Sequence, residues 1–437
     1  MIKTFINAWK IADLRKKILF TLFIVLLYRI GSNIPVPFVD LVGNELNTEG
    51  GNILTYLSMM TGSAFNYGTL FALGVTPYIN SSIIIQLLGV AIPSLANLQK
   101  EGEEGRKKLN AITRYLTIGL ALLQSVAYYF YIRNSGNYIT PAVGDLSIGY
   151  QIFQAAVIVA CFTAGSSLVM WMGEQINDNG IGNGISILLF AGIVSRLPTI
   201  LTMLWELFKE GGAYYALAPI TLVLFLAMIT FIVFMDNAER RIPVQYAKRV
   251  VGRKMYGGQN THMPIKVNMS GVLPIIFAAS ILAIPTTIEM FLDQNKISEG
   301  WKTFFNCFSS EHWPYVIMYS VLILFFAYFY ASVQYNPIEM ANNLRRNNGA
   351  VPGIRPGKPT SDYIQRILSR ITLIGAIMLV VVSIVPMLWQ LGTTAADKAV
   401  QVSMSGTSLI IVVGVALETV KQLDSQMMKR HYKGCLD

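Results

Sequence analysis

Hydrophobic residues run through the chain in blocks of about 20, each closed by polar or charged residues, which is the length a helix needs to cross a bilayer. Ten such runs can be placed, at 18–37, 73–93, 111–132, 152–173, 183–203, 217–235, 271–292, 314–334, 367–389 and 402–420. One apolar stretch does not fit. Ile53 to Phe65 holds only about a dozen residues before Gly62, Ser63, Asn66 and Gly68 break it up, too few to cross alone. Non-spanning backbone at membrane depth is tolerated only where protein buries it or where it lines a cavity. The pattern therefore predicts a half-helix beside the full second span. On that span Val75, Ile79 and Ile83 recur at i, i+4 and i+8 and share a face, with Ser82 and Gln86 close to it further along. An apolar waist with polar residues beyond it points to a constricted pore.

Two stretches between the runs are long and polar. In the first, 236–270, Ile242, Val244 and Tyr246 alternate with polar residues ahead of Gly257-Gly258, which predicts a β-hairpin turning at the glycines. In the second, 335–366, the Gly and Pro density from Gly349 to Pro359 excludes a regular helix. The fold expected is an all-α polytopic membrane protein with ten transmembrane helices and a short half-helix at about 53–66. An amphipathic segment, 1–17, precedes a five-helix half at 18–203; a second half at 217–420 carries the two loops, and 421–437 forms a tail. A five-plus-five division is common in membrane proteins that open on alternate faces.

Composition agrees. With 53% apolar residues, 13% charged and a mean hydropathy of +0.50, a soluble protein is excluded. No small-residue cleavage site follows the first run, which reads as a retained span rather than a signal peptide. If the N-terminus is cytoplasmic, that side receives 27 of the 34 Lys and Arg residues, and the segment from Phe38 to Leu73 has none. The positive-inside rule then places both termini in the cytoplasm. The excess concentrates in loops 236–270 and 335–366. Anionic lipid could account for basic loops, yet orientation needs only a few charges, and their length favours docking of a large cytoplasmic partner.

Residues for chemistry are scarce. His262, His312 and His431 all lie outside the runs, and neither an HExxH nor a GxSxG motif is present. GIGNG, Gly180 to Gly184, lacks the spacing of a dinucleotide loop and reads as a tight turn. GIRPGK, Gly353 to Lys358, is one residue short of a Walker motif and runs into Pro359. Cys161, Cys307 and Cys435 show no paired spacing and read as free thiols. No catalytic residue, cofactor or metal is expected, and the chain is not expected to be an enzyme. A secondary transporter of small solutes would usually carry ionisable residues inside its spans. Here the span interiors offer Arg29 and otherwise neutral Asn80, Ser81, Ser82, Gln86 and Gln124, while Glu174, Asp236, Glu289 and Glu418 fall near run ends. A membrane assembly scaffold, with partners on the loops and nothing crossing, is the other alternative.

Several segments resemble the SecY family. They are YRIGSNIPVP (Tyr28 to Pro37), FALGVTPYINSSIIIQLL (Phe71 to Leu88), KEGEEGRKK, GEQINDNGIGNGISILLFAGIV (Gly173 to Val194), AERRIPVQYAKR, THMPIKVNMSGVLPIIFA, NPIEMANNLRRN, VPGIRPGKPT and GTSLIIVVGVALETV, in the family's order and at matching spacing. The resemblance implies the pore subunit of a bacterial Sec protein translocase in the plasma membrane, its halves clasping an hourglass channel. It implies an apolar pore ring of Val75, Ile79, Ile83, Ile185, Leu189, Val272, Ile276 and Ile411. The half-helix becomes a plug, including Ile53, Leu54, Tyr56, Leu57, Met59, Met60, Gly62 and Phe65. A lateral gate is implied between the second and third spans and the seventh and eighth, with Asn80 and Gln124 as polar contacts. SecA and the ribosome would dock on Arg240, Arg241, Lys248, Arg249, Arg253, Lys254, Arg345, Arg346 and Arg355. SecE and SecG would complete the channel, signal peptides and translocating polypeptides would be its cargo, and anionic lipid would surround it. ATP would be used by SecA and not by this chain.

Overall fold

The structure, a computed structural model, describes residues 8–40, 61–62, 64–135, 138–139, 147–210, 214–246, 249–251, 254–256, 260–269, 271–290, 299–308, 312–395 and 406–433. Every predicted run overlaps a helix. In the first half these are α1 (Ala12–Gly31), α2 (Thr76–Ala91), α3 (Pro93–Lys100), α4 (Glu103–Ser135), α5 (Ile148–Asn179), α6 (Gly184–Val194) and α7 (Leu197–Glu210). In the second half α8 (Tyr214–Asn237) leads to β1 (Glu239–Tyr246), β2 (Arg249–Val251), β3 (Lys254–Tyr256) and β4 (Asn260–Lys266). There follow α9 (Leu273–Met290), α10 (Glu299–Asn306), α11 (Trp313–Gln334), α12 (Pro337–Arg346), β5 (Gly349–Ala350), α13 (Lys358–Ala395) and α14 (Gly406–Lys433). Among the described residues, seven helical stretches are long and apolar enough to cross a membrane. The other predicted spans correspond to α1, which opens on Asp13, Arg15, Lys16 and Lys17, to α2, only 16 residues long, and to α9, whose apolar stretch Leu273–Leu282 is short.

Proline sets several limits that hydropathy misses. The first helix ends at Gly31 and not at residue 37, because Ile34 and Val36 each precede a proline and are biased away from the helical region. Pro35 instead bridges to Thr69, and the Leu70 amide donates to the Ile34 carbonyl at 2.9 Å. The second helix starts at Thr76, after turns from Ala64 to Val75, with Pro77 in its first turn where no amide hydrogen is needed. The fifth run breaks between α6 and α7, since the ring of Pro198 clashes with a helical carbonyl at Val194, the last residue of α6.

In the first half α4 packs on α2 and α5, and α5 packs on α1 and α6. In the second, α11 lies between α9 and α13, and α14 packs on α8 and α13. The halves meet where α7 lies on α8, where α6 lies on α14 and where α4 lies on α9.

The two polar loops form one unit. Strand β1 pairs antiparallel with β4 from Glu239 opposite Lys266 to Gln245 opposite Asn260, and β5 adds to its other edge at Tyr246 opposite Gly349. Ile242 and Val244 point into a core with Ile265, Leu344, Val351 and Ile364, so the alternation read from sequence is the inward face. The expected turn at Gly257-Gly258 lies outside the described residues. Between β1 and β4 in sequence, β2 and β3 pair antiparallel from Arg249 opposite Tyr256 to Val251 opposite Lys254.

Candidate functional site

The eight residues expected at the ring converge. Val75, Leu189 and Ile411 are buried in one apolar cluster with Ile24, Tyr28, Phe71 and Ile193, all first-half residues except Ile411. Ile83 and Ile276 are buried in the second-half cluster with Ile275, Phe277, Ile323 and Leu409. Ile185 packs against the first cluster, while Ile79 and Val272 pack against both. Each half thus contributes to the other's core, Ile83, Ile200 and Leu204 in one direction and Ile411 in the other. Val75 and Val272 lie one residue ahead of α2 and α9, not within these helices as the runs suggested.

Glycines and caps position this waist. At Gly184 a Cβ would come within 1.9 Å of the Gly173 carbonyl oxygen, so only glycine lets α6 leave α5 this closely. Asn183 caps α6, its Oδ1 accepting from the amides of Ile185 and Ser186 at 3.2 and 3.5 Å, and Asn177 Oδ1 accepts from the Gly184 amide at 2.8 Å. GIGNG is therefore the turn expected of it, and it fixes where Ile185 and, one turn on, Leu189 project. Across the waist, Val272 lies against α14, its Cγ2 3.6 Å from where a Cβ at Gly414 would stand.

Of the expected plug, Ile53, Leu54, Tyr56, Leu57, Met59 and Met60 lie outside the described residues. Gly62 and Phe65 are described, and they correct the half-helix limit: from Gly62 the chain is in turns. Gly62 has φ +66°, a value glycine adopts readily and other residues seldom do, so helix cannot continue through it. Phe65 is buried against Tyr128, with ring centroids 4.5 Å apart, and Tyr128 meets Phe162 edge-on at 5.0 Å. The Tyr128 hydroxyl donates to the Phe65 carbonyl, and the Phe65 amide donates to Thr61 Oγ1 at 3.2 Å. This aromatic seat was not anticipated from sequence. Its only signal is a tyrosine in an apolar run, whose hydroxyl needs a partner when buried.

Asn80 on α2 and Gln124 on α4 are both half-buried, and among the described residues neither forms a hydrogen bond. Near them α4 packs on α9, and Ile83 of α2 shares an apolar cluster with Ile276 of α9. Ser81, by contrast, is fully buried and donates to the Pro77 carbonyl at 2.8 Å, so its polarity is satisfied within its own helix.

The basic residues gather on the sheet unit. Arg240 and Arg241 are exposed on β1, with Arg241 bonded to Glu239 at 2.7 Å; Arg345 and Arg346 are exposed in the last turn of α12. Arg355 is exposed on a turn pinned by half-buried Ile354 beneath it and by Thr360 Oγ1, which donates to the Arg355 carbonyl at 2.8 Å. The side chains of Arg249 and Lys254 fall outside the description, as do Lys248 and Arg253 entirely. No group of three or more His, Cys, Asp and Glu able to hold a metal occurs among the described residues.

Comparison with known proteins places this geometry among relatives. Residues 69–420 match the sequence profile of the SecY family. Curated relatives include the protein translocase subunit SecY of Streptomyces galbus, 42% identical, and that of Streptomyces coelicolor, 43% identical, each aligned over 100% of both chains. The SecY subunit of Mycobacterium tuberculosis is 42% identical, again over 100% of both. Among solved structures, a protein-conducting channel matches with a TM-score of 0.63 at 18% identity, covering 94% of this chain and 92% of that one. Sec61 from the canine ribosome-channel complex of the endoplasmic reticulum matches with a TM-score of 0.59 at 16% identity, over 94% of this chain and 92% of that one.

Proposed function

Because the chain belongs to the SecY family, we propose that it is the pore subunit of a Sec translocase, passing unfolded secretory polypeptides across the bacterial plasma membrane and releasing hydrophobic segments sideways into lipid. The observation that carries this reading is the waist: residues from both halves meet in two apolar clusters joined through Ile79 and Val272. A constriction lined only by branched aliphatic side chains excludes water and ions by dewetting. The same side chains change rotamer around a passing chain without recognising its sequence, as varied cargo requires. Such a passage admits an extended polypeptide and not a folded one.

Both termini face the cytoplasm in this reading, supported by the distribution of Lys and Arg. The unit built on β1, β4, β5 and α12 then projects inward, with Arg240, Arg241, Arg345, Arg346 and Arg355 as its docking face for SecA and for the anionic RNA of the ribosome. Energy comes from those partners, ATP being consumed by SecA, and the chain acts as a channel without catalysis or a cofactor of its own. Sideways release uses the seam where α4 meets α9, because an apolar signal segment lowers its free energy by leaving an aqueous passage for lipid. SecE braces the two halves and SecG associates at the periphery.

The test places a photo-crosslinking residue at Ile79 and stalls a secretory polypeptide in transit. A crosslink that requires both a signal sequence and SecA or the ribosome supports the channel and retires the solute-transporter and scaffold readings. Absence of that crosslink, with control positions on β1 still reacting, means that partners dock here but the chain crosses elsewhere.

A further inference from the structure

The link between α9 and α11 carries a helix of two-sided character. In α10 and the turn after it, Trp301, Phe304, Phe305 and Phe308 recur at i, i+3, i+4 and i+7, the spacing of a single helical stripe. Apart from Gly300, the other positions of the helix are polar: Glu299, Lys302, Thr303 and Asn306. The four rings touch in series. Trp301 meets Phe304 edge-on at 5.8 Å and stacks on Phe305 at 6.0 Å, and Phe304 meets Phe308 at 5.2 Å.

One edge of the stripe is covered and the other is bare. Phe305 is buried, at 5% exposure. Phe308 packs against the second-half cluster, which also takes Tyr315 and Met318 from the first two turns of α11. The helix itself packs on α9. Trp301 and Phe304, in contrast, remain 59% and 47% exposed. Protein thus holds α10 down through Phe305 and Phe308 and leaves a tryptophan and a phenylalanine outside.

Height decides what covers them. The chain enters α9 from β4 and leaves α11 into α12, so α10 lies at the end of these spans away from the sheet unit. With 22 residues, α11 is about 33 Å long, against roughly 30 Å of hydrocarbon. Its first residue, Trp313, therefore marks the bilayer boundary, and the packing of Phe308 beside Tyr315 ties α10 to that level. The bare rings continue an apolar surface on both neighbours: Ile284 and Ile288 late in α9, and Trp313 and Ile317 early in α11, are all exposed. Tyr215, at the start of α8 and also away from the sheet unit, is exposed as well. An amphipathic helix at this depth lies in the plane of the interface with its apolar face in the acyl boundary, where tryptophan is enriched.

We infer that α10 is an interfacial helix whose Trp301 and Phe304 insert into the bilayer leaflet on the side away from the sheet unit, among phospholipid glycerols and upper acyl chains. Its partner is the lipid surface and not another polypeptide. The inference needs only that the chain spans a membrane, and it stands whether or not the waist conducts polypeptides.

The experiment places the full chain in phospholipid vesicles, with Cys161, Cys307 and Cys435 replaced by serine. An environment-sensitive fluorophore is attached in turn through Trp301→Cys, Phe304→Cys and, as the polar-face control, Lys302→Cys. Quenching is measured with phospholipids spin-labelled near the glycerol or deep in the acyl chain, and with iodide on both sides. Labels at 301 and 304 should be quenched severalfold more by lipid than the label at 302, and more by the shallow spin label than by the deep one. Iodide should show the reverse order, reaching 302 best. Strong iodide quenching at 301 and 304 without lipid quenching puts the rings in water and overturns the inference. Protection from both quenchers puts them under a polypeptide and overturns it equally, as does deeper quenching that exceeds the shallow. Should the cysteine variants assemble poorly, native fluorescence decides: brominated phospholipid should quench less of it in Trp301→Phe, which keeps an aromatic ring, than in the wild type. Equal quenching in the two overturns the inference.

Discussion

Ile411 is where the closed waist should be most sensitive to polarity. It is carried by α14 of the second half yet buried among first-half side chains, at 3% exposure. Ile411→Asn removes an aliphatic group whose burial contributes about 1.5–3 kcal/mol. It also leaves an amide in an apolar site, at a cost of about 1–3 kcal/mol if it finds no partner. In an open, wetted waist the amide is hydrated, so most of this penalty falls on the closed state alone. Taking about 3 kcal/mol as the differential, the ratio of closed to open channel falls roughly a hundredfold, at about 1.4 kcal/mol per factor of ten. Ile411→Val loses one methylene, typically about 0.5–1.5 kcal/mol, and should shift the same ratio by about tenfold or less. Resting ion flux in vesicles reads this ratio directly, and export of reporters with graded signal strength reads its consequence. Asn should leak far more than Val and should admit the weaker signals. Wild-type flux in Ile411→Asn at normal channel amount, or equal leak in both variants, would refute the argument that burial across the two halves holds the waist shut.

Other expectations follow from single contacts. Arg355→Glu lies on an exposed turn, so membrane insertion and stability should change by no more than about 0.5 kcal/mol, while SecA-driven export should fall at least severalfold because a like charge now meets the partner; unchanged export would remove Arg355 from the docking face. Tyr128→Phe keeps the aromatic seat under Phe65 but strips the Phe65 carbonyl of its donor, about 1–3 kcal/mol, and should raise resting flux less than Ile411→Asn does. A flux equal to wild type would mean this bond plays no part in the seal. Gly184→Ala puts a Cβ 1.9 Å from the Gly173 oxygen, so α6 must shift; a loss of about 1–3 kcal/mol should appear as a lower Tm of the detergent-solubilised protein, and an unchanged Tm would contradict the close approach.

Much of the architecture was legible because hydropathy is a local property. Each of the ten apolar runs overlaps a helix, and the alternation of Ile242 and Val244 marked the inward face of β1 before any partner strand was known. Motif resemblance singled out eight aliphatic positions, and those side chains pack in two apolar clusters joined through Ile79 and Val272. Boundaries were less legible. Pro35, Pro77 and Pro198 shorten or break helices that an apolar count would extend, since proline acts through backbone geometry and not through hydrophobicity.

What the sequence by itself determined is the set of segments that must leave water, the side chains that alternate or recur on one face, and the basic residues that must stay outside the bilayer. These depend on neighbours a few residues away. Only the tertiary structure decided that Ile83 is buried in the second-half core and Ile411 in the first, that loops 236–270 and 335–366 share one sheet, and that Arg29 donates a hydrogen bond to Ser195. Arg29 and Ser195 are separated by 166 positions, and no periodicity reaches that far. A cation in an apolar helix announces that it needs a partner; which hydroxyl answers it is settled when helices pack, by the close approaches that glycine alone allows.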